Sequence, residues 1–233
     1  MPLKKTYFLV LVTASISLNI FAQNMTGDET TENVYLSTKT TPVFKGYKNT
    51  LGSVYANKEF KNGSVYKDGK IVANNVSLRY NVKAEEIELK TKNNSSSTVA
   101  NDLKADERIY VRILNDDFVY LVSPDKNQQA GYFMVIEEGE RLTIYKKIIK
   151  NFVEGKKSGN SYSRDIPDTF KEKEQLYIVS TAGSLTELPK GKSKRKKLFT
   201  SKAAEMKTYL ESRNLNLRKD SDFNEAVSHF NGM

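Results

Sequence analysis

Two acidic clusters and one basic run are the features of this 233-residue chain whose residue types and spacing could do chemistry. Glu85, Glu86 and Glu88 lie between Lys83 and Lys90, and Glu137, Glu138 and Glu140 surround Gly139. Two carboxylates on either side of a glycosidic bond can act as acid and as base or nucleophile. A carbohydrate hydrolase built on this chain would draw on Glu86 and Glu138. The alternative places both clusters at strand edges or hairpin tips, where charge keeps an edge from pairing with a neighbour. We take this second reading, because the other groups that catalysis recruits are scarce. His229 is the single histidine, close to the chain end between Ser228 and Asn231. The base of a triad must be oriented by another group and stand beside a nucleophile. No nucleophile-elbow sequence accompanies His229, so a solvent-facing ring is expected.

The chain contains no cysteine. Thiol catalysis, disulfides, a lipoprotein cysteine and cysteine-based metal sites are therefore excluded. With one imidazole, a zinc site built on nitrogen ligands is not expected either. Asp116 and Asp117 lack the spaced Asp/Asn pattern of a calcium loop and read as a turn. Glycines occur singly, without a phosphate-binding loop. The expectation is a protein with no metal, no cofactor and no enzymatic turnover.

The basic run comprises Lys190, Lys192, Lys194, Arg195, Lys196 and Lys197, followed directly by Leu198 and Phe199. Inside a cell such a run suggests a localisation signal or a nucleic-acid patch. The other end of the chain argues for a different compartment. Lys4 and Lys5 precede an apolar stretch from Tyr7 to Phe21 that closes on Ala22-Gln23. That is the pattern of a secretory signal cleaved after Ala22. A retained span needs about 20 predominantly apolar residues, and Thr13, Ser15, Ser17 and Asn19 thin this one. An exported protein meets no nucleic acid, so the expected partner is an anionic envelope component or lipid headgroups. Each basic residue near such a surface contributes about 1 kcal/mol. Leu198 and Phe199 are expected to dip into the interface as amphipathic helices do; a solvated linker is the alternative. The charge is concentrated accordingly. Of a net +9, residues 190–233 hold 11 basic and 5 acidic residues.

The elements that must position these residues divide the chain into four parts. After the leader (1–22) and a polar, flexible start (23–33), residues 34–188 read as one antiparallel β domain. A basic helical segment (189–233) follows. Asn62-Gly63 and Asp68-Gly69 are hairpin-turn dipeptides, and Gly52-Ser53-Val54-Tyr55 recurs as Gly63-Ser64-Val65-Tyr66, as in a meander. Val76, Leu78, Tyr80 and Val82 alternate, as do Ile109, Val111 and Ile113. Further strands are expected at Phe118–Val122, Tyr132–Ile136, Leu142–Ile149 and Leu176–Ser180, with loops at Asn93–Thr98 and Lys156–Asp168. Tyr55, Tyr66, Tyr80, Tyr110 and Tyr120 fit cross-strand packing, with a ligand-lined barrel mouth as the alternative. Beyond Pro189 the period becomes helical at Phe199, Ala203, Met206 and Leu210, and again at Phe223, Ala226, Val227 and Phe230. Asp222 and Glu225 suggest a capping box opening the last helix. The fold class expected is mainly β (α+β): a curved antiparallel sheet, barrel-like or sandwich, with a C-terminal helical appendage.

The leader ending in Ala22-Gln23, the strand Leu78-Arg79-Tyr80-Asn81 with Glu85-Glu86-Ile87-Glu88 after it, and the element from Leu188-Pro189 through Leu198-Phe199 resemble small exported envelope proteins of the flavobacterial kind. That resemblance implies no catalytic residues. The leading expectation is a non-enzymatic exported protein, periplasmic, outer-membrane-associated or extracellular, whose β body binds or scaffolds. The alternatives are a lipid or lipoprotein carrier with an apolar cavity in its curved sheet, and the carboxylate-dependent hydrolase.

Overall fold

In a computed structural model, residues 34–42, 50–90, 99–122, 130–159, 162, 164–181 and 183–233 are described. The leader, the flexible start and the expected Asn93–Thr98 loop lie outside them. The strands are β1 (Leu36–Pro42), β2 (Thr50–Leu51), β3 (Lys61–Lys67), β4 (Lys70–Asn81), β5 (Glu86–Lys90) and β6 (Val99–Leu103). They continue as β7 (Ile109–Ile113), β8 (Asp116–Leu121), β9 (Gly131–Glu137), β10 (Leu142–Val153), β11 (Asp168–Ser180) and β12 (Leu185–Glu187). All belong to one sheet of order β1-β6-β5-β4-β3-β7-β8-β9-β10-β11-β12, with β2 attached to β11. The pairings are antiparallel except that of β2 with β11. The path does not close into a ring, yet the sheet curls strongly. Tyr80 of β4 and Tyr132 of β9 stand several strands apart along the path and still meet with ring centroids 5.7 Å apart. Phe118 of β8 packs on the same tyrosine at 5.6 Å. All three rings are fully buried, with Leu78, Ile87, Leu89, Ile109 and Ile113 around them. The curl is therefore filled with side chains.

The alternation read from sequence forms the strands it implies, because Val76, Leu78 and Tyr80 of β4 and Ile109, Val111 and Ile113 of β7 face this core. Asp68 and Gly69 both take positive φ (49° and 73°) and make the tight β3–β4 turn. Asn62-Gly63 does not turn. It lies within β3 at a bulge, and a Cβ on Gly63 would collide with the carbonyl oxygen of Arg112 on β7. The glycine is required there for close backbone approach. The first Gly-Ser-Val-Tyr copy is not a strand like the second. Its Tyr55 makes an isolated bridge to Asn81, while Ala56 N–H donates to Tyr80 and Val82 N–H donates to Val54. Residues 50–56 thereby link the end of β4 to β11, against Phe170.

The strand expected at Leu176–Ser180 begins eight residues earlier. β10 and β11 form a ribbon in register from Leu142↔Ser180 to Val153↔Thr169. The charged stretch from Lys171 to Gln175 shows no apolar alternation, but its glutamates face lysines across the ladder. Lys146 Nζ lies 2.9 Å from Glu174, and Lys150 pairs with Glu172. Lys150 is directly opposite Glu172 and Lys146 is diagonal to Glu174, and opposite charges so placed support pairing where hydrophobicity does not.

The C-terminal segment comprises α1 (Lys192–Lys196), a 3-10 stretch (Lys197–Lys202), α2 (Ala203–Ser212) and α3 (Asp220–Asn231). These helices form a second core with Leu142, Ile144, Ile178 and Leu188 of the sheet end. Asn231 clamps the last turn to the start of β10: its amide donates to Leu142 O (2.8 Å) and its carbonyl accepts from Leu142 N–H (3.0 Å). Among the described residues no helix is long and apolar enough to cross a membrane.

Candidate functional site

A one-turn helix made of Lys192-Ser193-Lys194-Arg195-Lys196 has no acidic residue in its first turn and no side-chain cap. Cations near a helix N-terminus oppose the macrodipole, so local propensity does not hold this turn in place. Arg195 does. It is 5% exposed, and its Nε donates to Pro189 O (2.6 Å), Nη1 to Leu217 O (2.9 Å) and Nη2 to Asp220 Oδ1 (2.7 Å). The guanidinium also lies 5.0 Å from the Phe223 ring centroid. One side chain thus ties the entry to α1, the α2–α3 connection and the start of α3.

Phe199 anchors the other end. It is 1% exposed and packs at 5.2 Å on Phe230 and 5.9 Å on Phe223. Two of the surface residues expected from sequence are therefore interior: Arg195 spends its charge on backbone carbonyls and Asp220, and Phe199 fills the helical core instead of reaching an interface. Leu198 is half-buried against the same core. Lys190, Lys192, Lys194, Lys196 and Lys197 remain exposed. Among the described residues no ion pair joins any of these five to an acid. The nearby acids are engaged elsewhere: Asp220 by Arg195, Glu225 by Arg213 at 3.1 Å, and Asp222 by the Asn216 N–H at 2.8 Å. Lys192, Lys196 and Lys207 also border, together with Glu211, a hollow of about 180 Å³ floored by Leu210, Leu215 and Leu217.

The capping box expected at Asp222 and Glu225 is absent, because α3 starts at Asp220 with Lys219 as its cap residue. Asp222 instead closes the preceding loop. His229, expected to face solvent, is half-buried: its ring stacks on Tyr209 at 3.6 Å and 8°, joining α2 to α3.

The first acidic cluster is likewise not a charged hairpin tip. Glu88 is 0% exposed. It accepts from Arg79 Nη2 (2.6 Å) and Nε (3.2 Å) and from the Tyr55 hydroxyl (2.9 Å). The Arg79 guanidinium lies between the rings of Tyr55 (3.6 Å) and Phe60 (4.3 Å). Arg79 alternates with core residues along β4 and reads as solvent-facing. Segment 54–60 folds over it.

Glu85 has a φ of 56° in the β4–β5 turn and sits deeper than a tip. It accepts from Lys147 Nζ (2.7 Å), the Tyr80 hydroxyl (2.9 Å) and the Tyr132 N–H (2.9 Å). Lys147 also donates to Tyr132 O at 3.0 Å. Burial lowers the Lys147 pKa while Glu85 opposes the shift, and burial raises that of Tyr80. Glu86 pairs with Lys39 of β1. Asp102, opposite Glu88 on β6, is buried. Burial raises its pKa, against the hydrogen bond that Thr41 donates at 2.6 Å. Glu137 ends β9, and Glu138 and Glu140 are exposed in the turn to β10. Of the two carboxylates a hydrolase would use, Glu86 is committed to Lys39 and Glu138 lies exposed in the turn between β9 and β10. Asp117 pairs with Arg112 at 2.6 Å in the β7–β8 hairpin. Among the described residues no group of three or more acidic or histidine side chains is placed to hold a metal ion.

Tyr80 is core, Tyr120 packs edge-on against Tyr132 at 5.3 Å, and Tyr66 does the same with Tyr110 at 5.6 Å. These are cross-strand contacts of the expected kind.

No protein-family model, curated protein or solved structure matches this chain.

Sequence reasoning missed the inward role of Arg195 and of the Arg79–Glu88 pair. Arg195 is the one arginine among five lysines, and a planar guanidinium fork suits buried multidentate contacts better than an ammonium group, which is the signal the run carried. A β-strand arginine paired with a glutamate one hairpin later is a usable signal, but the covering rings come from elsewhere in the chain.

Proposed function

We propose that this chain is a non-enzymatic exported envelope protein that binds an anionic surface through the outward lysines of its C-terminal segment. The observation that carries the reading is the division of the basic run. Arg195 and Phe199 fix the turn from within, while five lysines stand outside without acidic partners among the described residues. A solvated linker has no need of a buried arginine tying three chain segments together. The leader read from residues 1–22 supplies the compartment in which lipid headgroups and other envelope anions are the available partners. A carrier enclosing an acyl chain is less well supported, since the curl of the sheet is filled by Tyr80, Phe118 and Tyr132.

The test spares the anchors. Replacing Lys194, Lys196 and Lys197 by glutamine should weaken binding to phosphatidylglycerol vesicles by about 3 kcal/mol, roughly a hundredfold. The thermal midpoint should stay unchanged. Undiminished vesicle binding by the folded variant would remove the proposal.

A further inference from the structure

The helices pack at the Leu142–Ser180 end of the β10–β11 ribbon, and its other end is apolar and uncovered. Among the described residues ten large hydrophobic side chains are exposed, and five of them, Leu51, Phe152, Val153, Tyr162 and Ile166, belong to this one tip. The register brings four of these together. Phe152 lies opposite Phe170, and the two rings pack at 5.2 Å. Leu51 and Val153 flank Thr169 from the two neighbouring strands, on the opposite face of the ribbon. Ile166 bridges to Lys156, continuing the ladder past Val153. Apolar side chains therefore stand on both faces, each of the four between 40% and 61% exposed. The polar groups of the tip are occupied internally. Lys156 and Ile166 exchange both backbone hydrogen bonds, at 2.9 and 2.8 Å. Gly155 N–H donates to Asp168 Oδ1 and Ser158 N–H to Asp165 Oδ1, each at 2.8 Å. Two carboxylates are thereby drawn onto backbone amides. Lys156, Lys157, Arg164 and Lys171 are exposed and make no ion pair among the described residues, and one further carboxylate, Glu154, stands among them.

We propose that this tip is a bilayer anchor: Leu51, Phe152, Val153 and Ile166 enter the headgroup–acyl boundary of an anionic membrane, and the four cations meet its phosphates. The proposal rests on the surface reading for its setting and narrows the surface to lipid. A protein partner docked on a sheet covers one face, whereas a bilayer interface covers both, which is how the apolar side chains are distributed. Backbone groups already paired with each other approach hydrocarbon without the penalty of lost water. The apolar set is small, and a single short acyl chain by itself gives only marginal, reversible attachment; stable anchoring takes apolar contact together with basic residues. The tip carries both, so it holds anionic bilayers and not neutral ones.

The chain has no cysteine, so Ile166→Cys and, as a control at an exposed position of β4, Ile71→Cys each accept a single fluorescent label. On phosphatidylglycerol vesicles whose acyl chains carry bromine, the label at position 166 is expected to be quenched and the label at position 71 is not. Leu51→Ser/Ile166→Ser changes two exposed side chains, so the thermal midpoint should hold. Its affinity for phosphatidylglycerol vesicles should fall about tenfold, while binding to dextran sulfate, an anionic polymer without acyl chains, stays unchanged. A label at position 166 that escapes quenching on vesicle-bound protein overturns the proposal, as does vesicle binding indifferent to the double serine variant. A dimer in sedimentation equilibrium that this variant dissociates, without quenching at position 166, assigns the tip to a second copy of the chain and overturns it equally. Failure of the surface reading appears separately, as quenching at position 166 with vesicle binding unaffected when Lys194, Lys196 and Lys197 are replaced by glutamine.

Discussion

Arg79→Met is expected to lower the unfolding free energy by about 3–5 kcal/mol, the cost of leaving a buried charge without its partner. Glu88 has no access to water. With the guanidinium gone it keeps only the Tyr55 hydroxyl, and Tyr55 and Phe60 lose the planar group they enclose. Urea denaturation should show the midpoint falling with the slope unchanged, the mark of a stability change without altered compactness. The double variant Arg79→Met/Glu88→Leu should regain most of the loss, because an apolar replacement of a buried pair is often neutral or stabilising. A single-variant loss below about 1 kcal/mol would place the pair in the range of a solvated surface bridge and show that segment 54–60 does not seal the face of β4 and β5.

Phe199→Ala is the second large effect, about 3–5 kcal/mol for truncating a fully buried aromatic residue. Phe199 lies between Phe223 and Phe230 in the core that joins the helices to Leu142, Ile144 and Ile178. Its loss should appear in urea denaturation and in faster amide exchange across α2 and α3. The two roles considered for this residue predict opposite patterns. As a core residue, its alanine variant is destabilised yet binds anionic vesicles as wild type does under conditions where it remains folded. As an interface residue, the variant would keep its stability and lose vesicle binding.

The parts of the molecule legible in sequence are those set by local period. Val76, Leu78, Tyr80 and Val82 had to face one core, and Asp68-Gly69 had to turn, because backbone geometry at two residues decides each case. The helical period after Pro189 was equally direct. What escaped depends on distant chain segments. Arg79 holds a position that alternation assigns to solvent, and only the return of residues 54–60 buries it. Lys171 to Gln175 of β11 are all polar, so their strand character comes from pairing with β10, where Lys150 stands opposite Glu172 and Lys146 reaches Glu174 diagonally. Asn62-Gly63 carries the composition of a turn, yet serves close contact between β3 and β7. For the candidate site, sequence located the basic run and not its division. Which of its cations faces inward is settled by Pro189 O, Leu217 O and Asp220, groups up to 25 residues away.

Co-sedimentation of the wild-type protein with vesicles across a salt series tests the surface account most directly. Binding to vesicles containing phosphatidylglycerol should be strong at low ionic strength and fall steeply as the Debye length shrinks from about 30 Å at 0.01 M to about 3 Å at 1 M. Neutral phosphatidylcholine vesicles should leave the protein in the supernatant at every salt concentration. Equal binding to both vesicle types, or no binding to either at low salt, would contradict the assignment of the α1 lysines as an anionic-surface contact.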